Sequence, residues 1–166
     1  MLRSMVVKLE EIMAKKKTLV EKLHDSKDLP KVVKLNEKGA QHWKGETMVV
    51  PVPLEVDAVM KQVPKGKLIT IDGIRKQLAT KHKADIGCPL TSGIFSWIAA
   101  GAAGEEMAAG KKNVTPFWRT LKSNGELNPK YPGGIDFQSD QLKQEGFEID
   151  TSRKVPRVKD FENYLV

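Results

Sequence analysis

Apolar residues recur along the chain with two different periods, and the changes between them divide the sequence into segments. Leu2, Met5, Leu9, Ile12, Leu19 and Leu23 follow spacings of three and four if Lys16 is counted into the series, which places them on one stripe of an amphipathic helix ending before Pro30. Such a stripe either binds a partner or second copy or packs on its own domain, and the pattern leaves both open. From 31 to 52 the pattern changes to short β-branched pieces, Val32-Val33 and Val49-Val50-Pro51-Val52, around a polar stretch 36–46. This region reads as a linker with one or two short strands, and Pro51 and Pro53 confine the second strand to a sheet edge. Helical spacing returns at Leu54, Val56, Val59, Met60 and Val63, until Pro64-Lys65-Gly66 stops it. Thr70 is placed to cap another helix, with Asp72 set favourably against its dipole and Ile71, Ile74 and Leu78 on its apolar face. A third helix is predicted over 91–109.

The stretch 115–134 carries the strongest local signals. Asn124-Gly125 are residues that tolerate positive φ, so 119–122 is predicted to turn back on 126–128 as a short hairpin. Pro132-Gly133-Gly134 predicts a second reversal. The order of helix, turn, helix, connection, long helix and hairpin suits a mainly α fold with a small β hairpin, a winged helix-turn-helix with an N-terminal helical extension. The expected organisation is 1–46 as helix and linker, 47–149 as the winged-helix domain and 150–166 as a tail.

With 166 residues the chain has room for one domain of ordinary size plus extensions. Twenty-eight basic against twenty-one acidic side chains leave a formal charge of +7, which favours a polyanion as partner. That charge is unevenly placed: no Lys or Arg occurs between Lys83 and Lys111, while Asp85, Glu105 and Glu106 do. The run Lys15-Lys16-Lys17 is either a phosphate contact or a solvated face. Neither a membrane-spanning run nor a signal-peptide pattern is present, so a cytoplasmic protein with no membrane role is expected. A lone Cys88 excludes an intramolecular disulfide, and His24, His42 and His82 show no metal-ligand spacing, so no metal or cofactor is expected. Cys88 precedes a proline near a helix start, where a dipole activates a thiol, but no nearby residue is an obvious base, and an inert cysteine is the expectation.

Pro116-Phe117-Trp118-Arg119, Ser123-Asn124-Gly125, Tyr131, Gly133-Gly134 and Glu145-Gly146, together with 63–70 (Val-Pro-Lys-Gly-Lys-Leu-Ile-Thr), resemble the C-terminal domain of the O6-alkylguanine-DNA alkyltransferases, the methylated-DNA-protein-cysteine methyltransferases. The resemblance spans roughly 53–149. In that family the first motif reads Pro-Cys-His-Arg, its cysteine accepting the alkyl group and its histidine relaying a proton to a glutamate. Phe117 and Trp118 stand at those two positions, so the chain resembles more closely the alkyltransferase-like proteins, which lack the acceptor cysteine. What the resemblance implies is a non-catalytic protein that binds double-stranded DNA and recognises alkylated guanine in repair. The alternative from another class is a winged-helix regulator or scaffold with a closed pocket and a partner-binding, or dimerising, segment 1–29.

Site residues follow from the same resemblance. Pro116, Phe117, Trp118, Tyr131, Gly133, Gly134 and Glu145 correspond to the family's alkyl-base pocket. Thr70, Ile71, Thr91, Ser92, Gly93 and Ser96 correspond to its DNA-facing helices, while the basic flanks Lys111, Lys112, Arg119, Lys122 and Lys130 are candidates for phosphate contact. Ile71 stands where the family has a phosphate-pushing tyrosine, and nothing basic stands near 90–92, where the family has an arginine finger. Two readings of Phe117-Trp118 stay open: a stacking pair for a flipped base, or core side chains filling a vacated pocket. Gly93, Ser96, Ala99, Ala100, Ala102, Ala103 and Gly104 make one helix surface thin, either for close approach to a nucleic-acid backbone or for tight packing inside the protein with Ile94, Phe95, Trp97 and Ile98 buried.

Overall fold

The computed structural model describes residues 17–166. The apolar stripe over 2–12 and Lys15-Lys16 lie outside the described residues. Its remainder belongs to a short helix of its own, α1 (Leu19–Leu23), which starts at Thr18. The Thr18 hydroxyl accepts from the Glu21 backbone N–H while Glu21 reaches back to the Thr18 N–H. That reciprocal cap defines a helix start, so α1 does not extend N-terminally through Lys17.

β1 (Lys31–Lys34) pairs antiparallel with β2 (Thr47–Val50), and β2 pairs in parallel with β4 (Ile86–Gly87). Three differences from expectation follow. The polar stretch expected as linker contains α2 (Glu37–Trp43), capped by Asn36 through the Gly39 N–H. Strand β2 is central in its sheet, because it ends before Pro51 and so loses no ladder bond to either proline. Finally, β1 and β2 pair across the expected boundary at 46/47, which ties the N-terminal segment into the same sheet as the rest.

The helices of the central region form where the periodicity placed them. These are α3 (Pro53–Lys61), α4 (Ile71–Lys81) and α5 (Pro89–Ala108). Thr70 caps α4 by accepting from the Gly73 N–H, and Ile74 and Leu78 are buried from its inner face. Between α4 and α5 the chain closes on itself at Gly87, where an added Cβ would lie 2.4 Å from the Arg75 carbonyl oxygen.

After α5 come a 3₁₀ turn (Phe117–Arg119) and β5 (Thr120–Leu121), which pairs in parallel with β3 (Ile69–Thr70). The reversal at 122–126 is a tight turn with Gly125 alone at positive φ: Lys122 N–H donates to Glu126 O and Gly125 N–H to Lys122 O. The expected hairpin over 119–128 goes no further than this. The returning residues bond instead to the C-terminal region, with Leu127 N–H donating to Pro156 O and Val158 N–H to Gly125 O. Gly125 is required here for a second reason, since a Cβ would sit 2.3 Å from the Phe161 ring.

The C-terminal part is structured rather than a tail. A helix not anticipated from the sequence, α6 (Gly134–Gln144), is followed by β6 (Ile149–Asp150), β7 (Arg157–Val158) and a 3₁₀ turn (Phe161–Tyr164). The chain end bonds back to Leu68, whose N–H donates to Tyr164 O and whose carbonyl accepts from Val166 N–H. Two buried clusters result. The larger gathers Val49, Val56, Met60, Ile74, Leu78, the alanines of α5, Phe117 and Tyr131; the smaller gathers Leu68, Leu121, Leu127, Leu142, Phe147 and Val158. Trp118 packs against both.

Candidate nucleic-acid interface

Helix α5 decides what the molecule can present. Its alanines, Ala99, Ala100, Ala102 and Ala103, are buried in the larger cluster, with Ser92 and Ser96 on the same inner side. The thin surface therefore serves packing within the protein. The partner of that packing includes α1: Gly101 lies so close to Leu19 that an added Cβ would sit 2.2 Å from its Cδ1. Glu105 fixes α1 in place by accepting from the Leu19 and Val20 N–H groups at 2.8 and 3.1 Å, which satisfies donors at the start of that helix. Residues 19–23 thus pack on their own domain.

Ile94 and Trp97, which the packing alternative would put inside with Phe95 and Ile98, are outside. With Leu90 they fall at i, i+4 and i+7 on one face of α5, and their exposures are 70% for Leu90, 44% for Ile94 and 38% for Trp97. Gly101 and Gly104 continue the same face toward the helix C-terminus, where Leu19 and Pro132 cover it. One face of α5 is thus closed over its second half and open over its first.

The open half forms one wall of a groove of about 780 Å³, lined by Gly93, Ile94, Trp97, Lys122, Asn128, Pro129 and Lys130. Its opposite wall is held by hydrogen bonds. The Trp97 indole N–H donates to Lys130 O at 3.2 Å. Gln138, fully buried on α6, accepts from the Asn128 N–H and donates to the carbonyls of Trp118 and Thr120. No sequence motif singled out Gln138 or Trp97 for this wall, although Ile135, Gln138 and Leu142 lie at helical spacing and give away α6.

At the expected alkyl-base pocket the space is filled. Phe117 is 0% exposed, stacked on Phe137 at 5.8 Å and edge-on to Trp118 and Tyr131 at 5.5 and 6.0 Å. Of the two readings of this pair, the filled pocket is the one observed for Phe117. A cleft of about 160 Å³ remains beside it, between Gly104, Met107, Pro132, Gly133 and Phe137. The Tyr131 hydroxyl donates to Ser96 Oγ at 3.3 Å, and burial pushes its pKa up to about 12, so the phenol stays neutral. Pro116 caps the 3₁₀ turn, and Gly133 and Gly134 both adopt positive φ at the entry to α6.

Glu145 is a junction. Its carboxylate accepts from the Trp118 indole N–H at 2.5 Å, from Arg119 Nε at 2.9 and 3.1 Å and from the Gly66 N–H at 3.2 Å. Arg119 also donates to the Val63 carbonyl at 2.8 Å. Burial pushes the Glu145 carboxyl up, but the hydrogen bonds from Arg119, Trp118 and Gly66 outweigh it and hold its pKa below the ordinary value. The side chain at 118 therefore does face Glu145, with an indole where a relay would need an imidazole. An indole N–H only donates, so it cannot pass a proton on.

The remaining candidates divide. Thr70 is buried as a cap and Ile71 is half-buried on α4. The hydroxyls of Thr91 and Ser92 are enclosed with no hydrogen-bond partner among the described residues, and that of Ser96 donates to Gly93 O. Arg119 is spent on Glu145 and Val63, and Lys111 pairs with Glu106 at 3.3 Å. Thr70, Ser92 and Ser96 are thus buried, the Thr91 hydroxyl is enclosed although its residue is half-buried, and Arg119 is committed to internal partners. Gly93, Lys122 and Lys130 come together in the groove, and Lys112 is exposed beyond the C-terminus of α5.

Elsewhere, Cys88 immediately precedes α5, and its N–H donates to Val49 O. No group of three or more His, Cys, Asp or Glu side chains is placed to hold a metal among the described residues. None of the described helices is long and apolar enough to cross a membrane.

Comparison with known proteins gives little beyond this geometry. No family model matches the chain, and no curated protein matches it. A solved structure similar to it is that of S. pombe Atl1 in complex with damaged DNA containing O6-carboxymethylguanine. The identity is 20% and the TM-score 0.46, over 69% of this chain and 93% of that chain.

Proposed function

We propose that the chain is a non-catalytic DNA-binding protein of alkyltransferase-like type, a winged-helix module with α4 and α5 as its helix pair and the 122–126 turn as a reduced wing. It recognises a base turned out of the DNA stack, alkylated guanine among them. The observation that carries this reading is the groove beside Trp97, where an aromatic and apolar wall meets two lysines. A volume of about 780 Å³ lies within the range of small-molecule sites, and an extruded base is read by stacking on such walls and by hydrogen bonds to its edge, for which Asn128 lies at hand. Lys122 and Lys130 are placed for the phosphates on either side, with Lys112 extending the basic rim. The motif resemblance around 116–119 supplies the link to alkylated guanine. Phe117 and Trp118 supply the absence of transfer, since neither offers a thiol.

The test is an electrophoretic shift with plain and O6-methylguanine duplexes. Lys122→Ala with Lys130→Ala is expected to weaken binding across sequences and to reduce the log-affinity versus log-salt slope by about 0.9 for every phosphate that the variant no longer neutralises. The sealed pocket at Phe117 favours a second reading, a winged-helix scaffold that binds a protein partner. No shift with any DNA, under low salt, would select it.

A further inference from the structure

We infer that the groove beside Trp97 selects DNA whose bases are already unpaired, so that single-stranded DNA binds ahead of a fully paired duplex. This inference rests on the DNA-binding reading and specifies the form of DNA that the site accepts.

Three observations lead to it. The first is the burial of the thin face of α5. Ala99, Ala100, Ala102 and Ala103 are enclosed in the core, with Leu19 over Gly101 and Pro132 over Gly104, so of the slim face of this helix only Gly93, at the groove, is open, too little to enter a duplex groove. The second is what α5 does expose. Leu90, Ile94 and Trp97 form an apolar ridge of about two turns, and the faces of unstacked bases, hidden inside a duplex, are the nucleic-acid surface that matches it. The third is charge. The helix itself offers phosphate only Glu105 and Glu106, whereas Lys122 and Lys130 stand across the groove from the ridge. A strand lying along the groove with its bases toward Trp97 and its backbone toward the two lysines meets both requirements. A duplex would present phosphates to the apolar ridge.

Energetics point the same way. Turning a base out of a duplex costs stacking and pairing, and the cost is least where the base is already unpaired. In this chain Ile71 and the residues 90–92 offer no charged side chain to the phosphate or to the vacated stack. Unpaired DNA avoids that cost altogether.

The experiment is fluorescence anisotropy with the full chain and a labelled mixed-sequence single strand of about 12 nucleotides, alongside its paired duplex, the same duplex containing one unpaired bulged base, and an RNA strand of identical sequence. At one salt concentration the single strand is expected to bind at least about tenfold more tightly than the paired duplex, with the bulged duplex between them. Trp97→Ala is expected to weaken single-strand binding by roughly 5- to 150-fold, the loss of one stacked base, while Trp97→Phe recovers part of it. Removing Lys122 and Lys130 together lowers the salt slope by about 0.7 for each single-strand phosphate left without a neutralising lysine. Circular dichroism checks that each variant is folded, and the charge-neutral Ile94→Ser, on the exposed ridge, provides an independent change to the same wall with the same expected direction. A duplex bound as tightly as the single strand overturns the inference, as does RNA bound more tightly than DNA or folded Trp97→Ala and Ile94→Ser variants that bind the single strand as the parent does. If an O6-methylguanine duplex binds and the single strand does not, the inference fails and the proposed function stands. If no DNA binds, both fail.

Discussion

Replacing Phe117 by alanine tests whether this side chain is part of the core. The ring is fully buried, stacks on Phe137 and meets Trp118 and Tyr131 edge-on, so the substitution removes three aromatic pairings together with the ring's apolar burial. Burying a side chain of this size is worth about 1.5–3 kcal/mol, and each aromatic pair adds about 0.5–1.5 kcal/mol beyond area. These contributions overlap, and truncations of buried phenylalanine cost about 3–5 kcal/mol in all. The vacated space adjoins the cleft beside Gly104 and Pro132, so water has a path into it and the cost is expected in the lower part of that range. Urea denaturation followed by circular dichroism gives the readout. With a slope of about 2 kcal/mol per molar, a loss of about 3–4 kcal/mol moves the midpoint down by roughly 1.5–2 M. Phe117→Leu retains most of the volume and should cost less than half as much. A Phe117→Ala loss below about 1 kcal/mol would show that the ring does not fill the core, and the site would have to be rebuilt around an open pocket.

Other expectations follow from the same region. The parent protein should show no stoichiometric mass gain after exposure to alkylguanine DNA; Phe117→Cys should be almost inactive as an acceptor, and adding Trp118→His, which sets an imidazole toward Glu145, should raise single-turnover transfer by about 10²- to 10⁴-fold. Equal rates in the folded single and double variants would refute that register. Glu145 has a folded pKa below its unfolded value, so its stabilisation is complete above pH 4.5 and is lost as pH falls through the lowered value. Glu145→Gln should therefore flatten the fall in stability below pH 4.5, leaving the fall due to Asp25, Asp28, Glu55, Asp85 and Asp150, whose pKa values are also lowered. Gln138→Leu leaves the Asn128 N–H and the Trp118 and Thr120 carbonyls without their side-chain partner, and should cost about 2–4 kcal/mol in denaturation, with Asn128 N–H exchange accelerated.

Local information settled much of the fold. The spacing of Leu54 to Val63, the Thr70 cap and the apolar series through 91–109 specify α3, α4 and α5, because a helix turn involves only residues within four positions of one another. The Lys122–Glu126 turn was legible for the same reason: one glycine at positive φ determines it. The absence of a cysteine and a histidine between Pro116 and Arg119 could also be read directly, since the identity of Phe117 and Trp118 requires no coordinates.

What required the tertiary structure were choices between faces and between partners. Periodicity gave α5 both a thin face and a bulky one, but which of them is buried depends on α1 supplying Leu19 to Gly101 and on Glu105 holding α1 there, from more than eighty residues away. The strand leaving the Gly125 turn had two possible ladders, and the C-terminal residues 156–158 took it instead of β5. The sequence left Arg119 free to reach phosphate, whereas the fold brings Glu145 and the Val63 carbonyl to it. The groove itself depends on both kinds of choice, since Trp97 comes from a helix face left uncovered and Lys122 and Lys130 come from the segment 122–130, which Gln138 holds at Asn128. Sequence periodicity fixes a side chain's direction relative to its own helix, whereas exposure depends on which distant segment packs over that face.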